Sequence, residues 1–485
     1  MTTQESLNRQ IVKATKWSGI TEIVVRLIAP VSNMVLARIL TPEAFGVVTS
    51  LILIISFSEL FTDAGFQKYI IQHEFRDDND KILSTNVAFW SNFILSLLIW
   101  SIIAFFSESL ALMVGSPGCG LALIVTCVLI PLEAFSSIQL ALYRRDFDYR
   151  CLFRIRFISI LIPLFVTIPF ALWLRSYWAL VIGMISQNLL NAFLLTLYSR
   201  WKPAFCYSWS KLKEMLSFTI WSLVESVSIW LTSYVDVFIV GTILSQYYLG
   251  LYKTSSTLVG QILGLITAAT TPVLFASLSR LQHNDMELKT LFLKFQKYVS
   301  ILVIPMGFGV YCFSNLITKI ALGDQWMEAA GFIGLWGLTS SIMIVLSHYS
   351  CEIYRAKGRP KLSVLSQFLH IIFLWPVVMV AVRYGFETLY IARSLIRFEG
   401  LIVDMVLLYF LIRLSPWRMI RNIVPALTGS TVMLIFGLLM KSYFYTYIGQ
   451  IVTLICCSIV YLCVIYQFSR EKEIINAYLF KLIRK

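Results

Sequence analysis

The chain has 485 residues, 58% of them from the apolar set Ala, Val, Ile, Leu, Met, Phe, Trp, Tyr and Cys and only 14% charged, where a soluble chain carries roughly 25% charged residues. With a mean hydropathy of +0.78, there is too little polar surface to wrap a water-soluble globule, and the composition is that of a polytopic membrane protein. The net charge of +14 would suggest nucleic acid on a soluble protein, but Lys and Arg collect in the cytoplasmic loops of membrane proteins, so no nucleic-acid partner is expected.

The N-terminal stretch MTTQESLNRQIVKATKW is polar and lacks the apolar run and cleavage site of a signal peptide, so the first apolar helix is expected to be retained. About 20 mostly apolar residues are needed to cross the hydrocarbon core. Fourteen such stretches follow, at about 17–38, 44–66, 84–108, 118–142, 153–174, 178–198, 215–239, 248–278, 299–314, 327–349, 362–383, 388–412, 422–440 and 446–467. The ninth is short, but its pattern runs back through an amphipathic start near Leu291. The runs are continuous rather than alternating, which excludes a β-barrel. With the N-terminus in the cytoplasm, 31 of the 40 Lys and Arg fall on the inner side, five on the outer side and four inside spans. That bias predicts a multi-pass protein with both termini cytoplasmic.

The spans contain an internal repeat. Ile39-Leu40-Thr41-Pro42-Glu43-Ala44-Phe45-Gly46 lies between spans one and two, and Ile243-Leu244-Ser245-Gln246-Tyr247-Tyr248-Leu249-Gly250 between spans seven and eight. The copies are 204 residues apart and stand at the same place in a six-span unit. Six is even, so the copies are parallel, related by an axis along the membrane normal. The expected fold is all-α, with two six-helix lobes, 1–214 and 215–415, and two additional C-terminal helices with a cytoplasmic tail in 416–485. Residues 199–214, basic and aromatic with Pro203, form the expected linker.

Charges inside spans are costly and usually face a cavity or a partner. On span one, Ser18, Thr21, Glu22, Arg26, Ala29 and Asn33 share a face at helical spacing; on span seven, Ser222, Glu225, Ser226, Thr232, Ser233 and Asp236 do so. Span eight adds Lys253, Thr257 and Gln261, and span twelve Arg393, Arg397 and Asp404. Glu22, Asn33, Glu225, Asp236 and Gln261 are therefore the candidate polar lining of a cavity. Two readings stay open: charges that pair as glue between lobes, with Glu22 and Arg26 at i, i+4 and Arg393 and Arg397 beside Glu399, Asp404 or a neighbouring helix, or a hydrated pathway. His348 reads as a hydrogen-bonded helix residue rather than a proton relay. A cation carrier would favour carboxylates alone. Here Arg26, Lys253, Arg393 and Arg397 stand among them, and guanidinium forks and Lys bind phosphate through charge-assisted hydrogen bonds. A diphosphate headgroup would need such counter-charges.

The nine cysteines sit mostly in apolar runs and the four histidines are scattered, so no disulfide framework, metal site, cofactor site or catalytic residue is expected. The longest outer segment, roughly 315–326, has one Lys and one Asp, which counts against a polymerase or ligase with a catalytic outer loop. A cation-coupled multidrug exporter is the other alternative.

The motif LARILTPEAFGVVTSLILI, followed by FTDAGFQKYIIQHE, resembles the polysaccharide transporter family of bacterial oligosaccharide-lipid flippases. So do ALYRRDFDYR, ILSQYYLGLYKTSSTLV, PVLFASLSRLQHND, IALGDQWMEAA and YRAKGRPKL, in the expected order over residues 10 to about 415. The chain is similar to the colanic-acid and teichuronic-acid exporter branch. This resemblance implies a member of the multidrug/oligosaccharidyl-lipid/polysaccharide exporter superfamily, with two lobes in a V-shaped pseudo-twofold arrangement around a central cavity. It implies a carrier in the bacterial cytoplasmic (inner) membrane, not an enzyme, that turns an undecaprenyl-diphosphate-linked oligosaccharide to the periplasmic leaflet by alternating access. It also implies that Arg26 and Lys253, on spans one and eight, meet the diphosphate. Expected partners are that lipid-linked oligosaccharide, membrane lipids and polysaccharide polymerases; the coupling ion, H+ or Na+, is left open.

Overall fold

The computed structural model describes residues 3–63, 65–359, 361–443 and 446–467, without the side chains of 3–16, 18, 20, 22, 23, 63, 217–222, 224 and 225. Every regular element among the described residues is a helix. In hydrocarbon no water satisfies backbone N–H and C=O groups, and the α-helix satisfies them within one segment. Two compact units result, Met1–Lys253 and Thr254–Lys485.

In the first unit the helices are α1 (Thr3–Ile39), α2 (Pro42–Asp63), α3 (Phe66–Gln72), α4 (Asp78–Phe105), α5 (Ser107–Met113), α6 (Gly120–Thr126), α7 (Leu129–Arg145), α8 (Tyr149–Ile160), α9 (Ile168–Leu174), α10 (Trp178–Tyr198) and α11 (Trp209–Ile243). The start of α12 (Gln246–Arg280) completes it. Between α8 and α9 a π-helical turn, Pro163–Thr167, keeps one span continuous; Pro163 and Pro169 each lack an N–H, and the wider turn absorbs the missing bonds. The second unit continues α12 and adds α13 (Asp285–Cys312), α14 (Ser314–Ala321), α15 (Ala330–Met343), α16 (Ser350–Ala356), α17 (Lys361–Ala381), α18 (Phe386–Ile412), α19 (Pro416–Lys441) and α20 (Tyr447–Tyr466). A second π turn, Ile344–His348, joins α15 to α16. Polar caps set several starts: the Asp77 carboxylate accepts from Asp80 N at 2.6 Å, and Asn284 accepts from Met286 N and Glu287 N at 3.1 and 3.2 Å.

Among the described residues, twelve helical stretches are long and apolar enough to cross a membrane, and they coincide with twelve of the expected spans. The remaining two expected spans, 17–38 and 388–412, also lie in long helices, α1 and α18. These two carry Arg26 and the pair Arg393 and Arg397. The chain is a multi-pass, all-α membrane protein.

The segment expected as a linker is strapped to the first unit. The Trp90 indole N–H donates to Ala204 O at 2.9 Å, Ala204 N donates to Asn86 Oδ1 at 3.0 Å, and Trp90 stacks on Phe205 at 4.7 Å. Lys211 bridges Asp80 at 2.7 Å and Glu214 at 3.2 Å, and the Tyr69 hydroxyl donates to Glu214 at 2.9 Å. The Tyr69 phenol, then Lys211, hold the Glu214 carboxyl below the usual carboxylate range. The Asp80 carboxylate pushes the Lys211 ammonium above its ordinary value. In the second unit the C-terminal pair is fastened to α13. Asn422 Nδ2 donates to Leu293 O at 2.7 Å, and the Tyr461 hydroxyl donates to Ile301 O at 2.7 Å.

The repeated turn has a structural reason. A Cβ added to Gly46 would lie 1.8 Å from the carbonyl oxygen of Gln246, and one added to Gly250 would lie 1.9 Å from that of Pro42. Pro42 and Gln246 begin α2 and α12, and they are offset by the same 204 residues as the two glycines. Each helix thus offers its glycine to the other's first residue, the reciprocal pattern of a two-fold contact. Gln246 also donates through Nε2 to Gly115 O, while its Oε1 accepts from Ser50 Oγ at 3.1 Å. Gly46→Ala or Gly250→Ala should force this crossing apart. The expected cost is about 1–3 kcal/mol, as for other overpacked sites, read as a lower melting temperature of the purified protein. Gly260→Ala, where an added Cβ meets nothing within 4 Å, should leave that temperature within a degree or two.

Candidate functional site

In the first unit, Arg26 is half-buried on α1, and Asn33, two turns on, is exposed. The side chains of Glu22 and Glu225 lie outside the described residues. Asp236 and Lys253 come together on α11 and α12. Asp236 is buried, accepts a 2.6 Å hydrogen bond from the Tyr252 hydroxyl and a 2.8 Å bond from Val237 N. The Lys253 ammonium lies 5.0 Å from the Tyr234 ring centroid, with Asp236 as its electrostatic neighbour. Trp230, one turn before Tyr234, stacks on it at 5.4 Å and donates through its indole to Ser56 at 3.0 Å. The result is an aromatic-walled cation on α12 with a carboxylate behind it.

In the second unit, Gln261 is half-buried on α12. Arg393 and Arg397 are the centre of a larger cluster on α18. Both guanidiniums lie over the ring of Trp336 on α15, with carbons 5.1 and 4.1 Å from its centroid. Arg397 also donates to Ser340 Oγ at 2.6 Å, one turn further along α15. Aromatic faces attract guanidinium through the ring quadrupole, the more so when water is excluded, so one indole holds both cations. Arg393 is 8% exposed. Glu399 and Asp404, on the same helix, have hydrogen-bond partners on other elements. Glu399 Oε2 lies 3.0 Å from His370 Nδ1 on α17. Asp404 accepts from Ser347 in the π turn, from Ser366 at 2.8 Å and from the Tyr354 hydroxyl at 3.2 Å.

The arrangement can bind an anion. Two preorganised forks sit in a low-dielectric environment, where charge interactions are strong. Sequence spacing identified the α18 stripe but not Trp336, Ser340 or His370. Trp336 falls inside an apolar stretch and reads as core or interface anchor, and no local pattern announces a contact between helices 57 positions apart. His348, in the π turn, packs against Tyr349 with ring centroids at 5.2 Å. Because Phe and Leu are close in volume and only Phe keeps a ring face, Trp336→Phe should retain more stability than Trp336→Leu. The gap expected from the lost cation–π attraction is about 1–2 kcal/mol, measured by thermal melting of the two purified variants side by side.

The fold is shared with solved transporters. A lipid II flippase, MurJ, in an inward closed conformation superposes with a TM-score of 0.75 at 14% identity, covering 94% of this chain and 99% of that one. Among curated proteins, the succinoglycan biosynthesis transport protein ExoT of Rhizobium meliloti (strain 1021) is 22% identical over 317 residues, 65% of this chain and 63% of that protein. The teichuronic acid biosynthesis protein TuaB of Bacillus subtilis (strain 168) is 20% identical over 363 residues, 74% of each. The family model described as Polysaccharide biosynthesis protein matches residues 35–331, well over half of the chain. With twelve apolar helices, the likeness of fold and that match, the chain belongs to the polysaccharide biosynthesis protein family.

Proposed function

We propose that this protein is a carrier that turns an undecaprenyl-diphosphate-linked oligosaccharide from the cytoplasmic to the outer leaflet of a bacterial inner membrane. It works by alternating access of two six-helix lobes, 1–214 and 215–415, with residues 416–485 as an appended pair and both termini in the cytoplasm. Arg26, Lys253, Arg393 and Arg397 meet the diphosphate, and Glu22, Asn33, Glu225, Asp236 and Gln261 line the polar route. Family membership supports a role in polysaccharide production. The fold shared with a lipid II flippase and the relatives named for polysaccharide transport and teichuronic acid synthesis support a lipid-linked cargo.

The observation that carries the reading is the arginine pair on Trp336. A charge at the centre of a span costs about 2.5–3.5 kcal/mol on insertion scales. Two guanidiniums gathered on one indole present two forked donors, to which a doubly charged headgroup binds through charge-assisted hydrogen bonds. The reciprocal crossing of α2 and α12 at the repeated turn supports the two-lobe division, since it is the contact expected of equivalent elements in parallel repeats.

The test is surface polysaccharide export, normalised to the amount of protein in the membrane. Arg397→Ala should lower export at least tenfold with the protein still inserted. Arg397→Lys should retain an intermediate level, because the point charge survives while the bidentate fork is lost. Arg26→Ala and Arg26→Lys should rank in the same order. Full export by Arg393→Leu/Arg397→Leu would remove the pair from the function.

A further inference from the structure

Along α18, Arg393, Arg397, Gly400 and Asp404 follow one another at i, i+4, i+7 and i+11, which places them on one face. His370 of α17 lies directly over this face. A Cβ added to Gly400 would come 3.6 Å from His370 Nδ1, in ordinary van der Waals contact, so the imidazole sits against this glycine. One turn earlier on α17, Ser366 donates to Asp404. The imidazole is therefore seated between the arginine pair and Asp404. Its Nδ1 is 3.0 Å from Glu399 Oε2, with the His370 and Glu399 side chains 16% and 18% exposed. The other carboxylate oxygen, Glu399 Oε1, is buried with no hydrogen-bond partner among the described residues.

The charge count of this cluster turns on His370. Arg393 and Arg397 contribute two positive charges, and Glu399 and Asp404 two negative ones. With a neutral imidazole the cluster sums to zero. One proton on the imidazole gives it a net positive charge, and histidine is the side-chain type of this face whose ordinary pKa lies nearest neutrality. The carboxylate accepts from Nδ1–H, so the added proton goes to Nε2, which turns the Nδ1–Oε2 hydrogen bond into an ion pair.

Groups on the surrounding elements complete the electrostatic setting. From α18, Arg393, Arg397 and Glu399 act on His370, and Glu399 acts on Asp404. From α16, packed on α17, come Glu352 and Arg355, which pair with each other at 3.1 Å. The π turn against α18 brings His348, α15 brings no charge, the turn after α17 brings Arg383, and α19 carries Arg418, Arg421 and Lys441.

We propose that His370, held by Glu399, is a proton-binding site linked to anion occupancy of the Arg393–Arg397 pair. A proton from solution binds at Nε2 when a diphosphate docks, and it returns to solution when the diphosphate leaves. Two guanidiniums oppose a third positive charge beside them, and a docked dianion removes that opposition. Linkage is reciprocal, so the proton must tighten anion binding by the factor by which the anion tightens proton binding. The inference rests on the reading of Arg393 and Arg397 as a diphosphate site.

The experiment is titration calorimetry of the full-length protein in lipid nanodiscs, with undecaprenyl-diphosphate-N-acetylglucosamine as probe. This diphosphate diester does not itself ionise near neutral pH. Heats are compared in two buffers of different ionisation enthalpy at pH 7, which gives the protons exchanged per molecule bound. The wild-type protein should take up a substantial fraction of one proton, and its affinity should fall with rising pH by up to about tenfold per unit. His370→Gln should bind with no proton uptake and no pH dependence. Glu399→Gln, which keeps the shape of the pair, should weaken both effects. Binding that needs Arg397 but takes up no proton in the wild-type protein, or uptake that persists in His370→Gln, would overturn the proton site alone. No binding, or binding indifferent to Arg397→Ala, would overturn the diphosphate site and the proton site together.

Discussion

Hydrocarbon offers neither water nor counter-ions, and the structure follows from that constraint. Backbone polar groups must be met within each segment, so every regular element among the described residues is a helix. The span that carries Pro163 and Pro169 stays continuous through a π turn instead of opening into a loop. Side chains that carry charge must find a partner inside the protein, and several intramembrane charges show a specific neighbour. Asp236 has the Tyr252 hydroxyl, Asp404 has three hydroxyls, and both arginines of α18 have the face of Trp336. The two arginines share one indole, and a serine hydroxyl steadies Arg397.

The same logic separates structural from functional polar groups. The Asp80–Lys211–Glu214–Tyr69 network is a closed set of opposite charges and hydrogen bonds. It fastens the segment after α10 to α3 and α4 and has nothing left to offer a ligand. The reciprocal glycine crossing at Gly46 and Gly250 is likewise structural. It brings two helix starts within backbone contact, where any side chain would collide. The α18 cluster differs from both in gathering two guanidiniums on one indole, with its acids bonded to His370 and to hydroxyls.

Much of this was legible in the sequence. Continuous apolar runs and the distribution of Lys and Arg located the helices, and twelve of the expected spans reappear as membrane-length helices. The family followed from motifs in order along the chain. Spacing alone placed Arg393, Arg397 and Asp404 on one face. The sequence was silent wherever a partner comes from a distant helix: Trp336 for the arginines, His370 for Glu399, Ser347 and Ser366 for Asp404. Those residues lie in apolar runs without periodic signal, and only packing of α15 and α17 against α18 brings them together. The repeat at 204 residues was visible as a motif. Its cause, two glycines each meeting the other helix's first carbonyl, is a three-dimensional fact that no spacing rule contains. The linker was legible as basic and aromatic, but its bonds to Asn86 and Trp90 were not.

The central claim is that the buried arginines exist to bind a diphosphate headgroup as it crosses the membrane. The most direct measurement is reconstitution into liposomes with a labelled undecaprenyl-diphosphate-disaccharide, following the rate at which the label changes leaflet. The account predicts that the wild-type protein accelerates this movement and that Arg393→Gln/Arg397→Gln, at equal protein density, is at least tenfold slower. Equal rates for the wild-type protein and the double variant would contradict it.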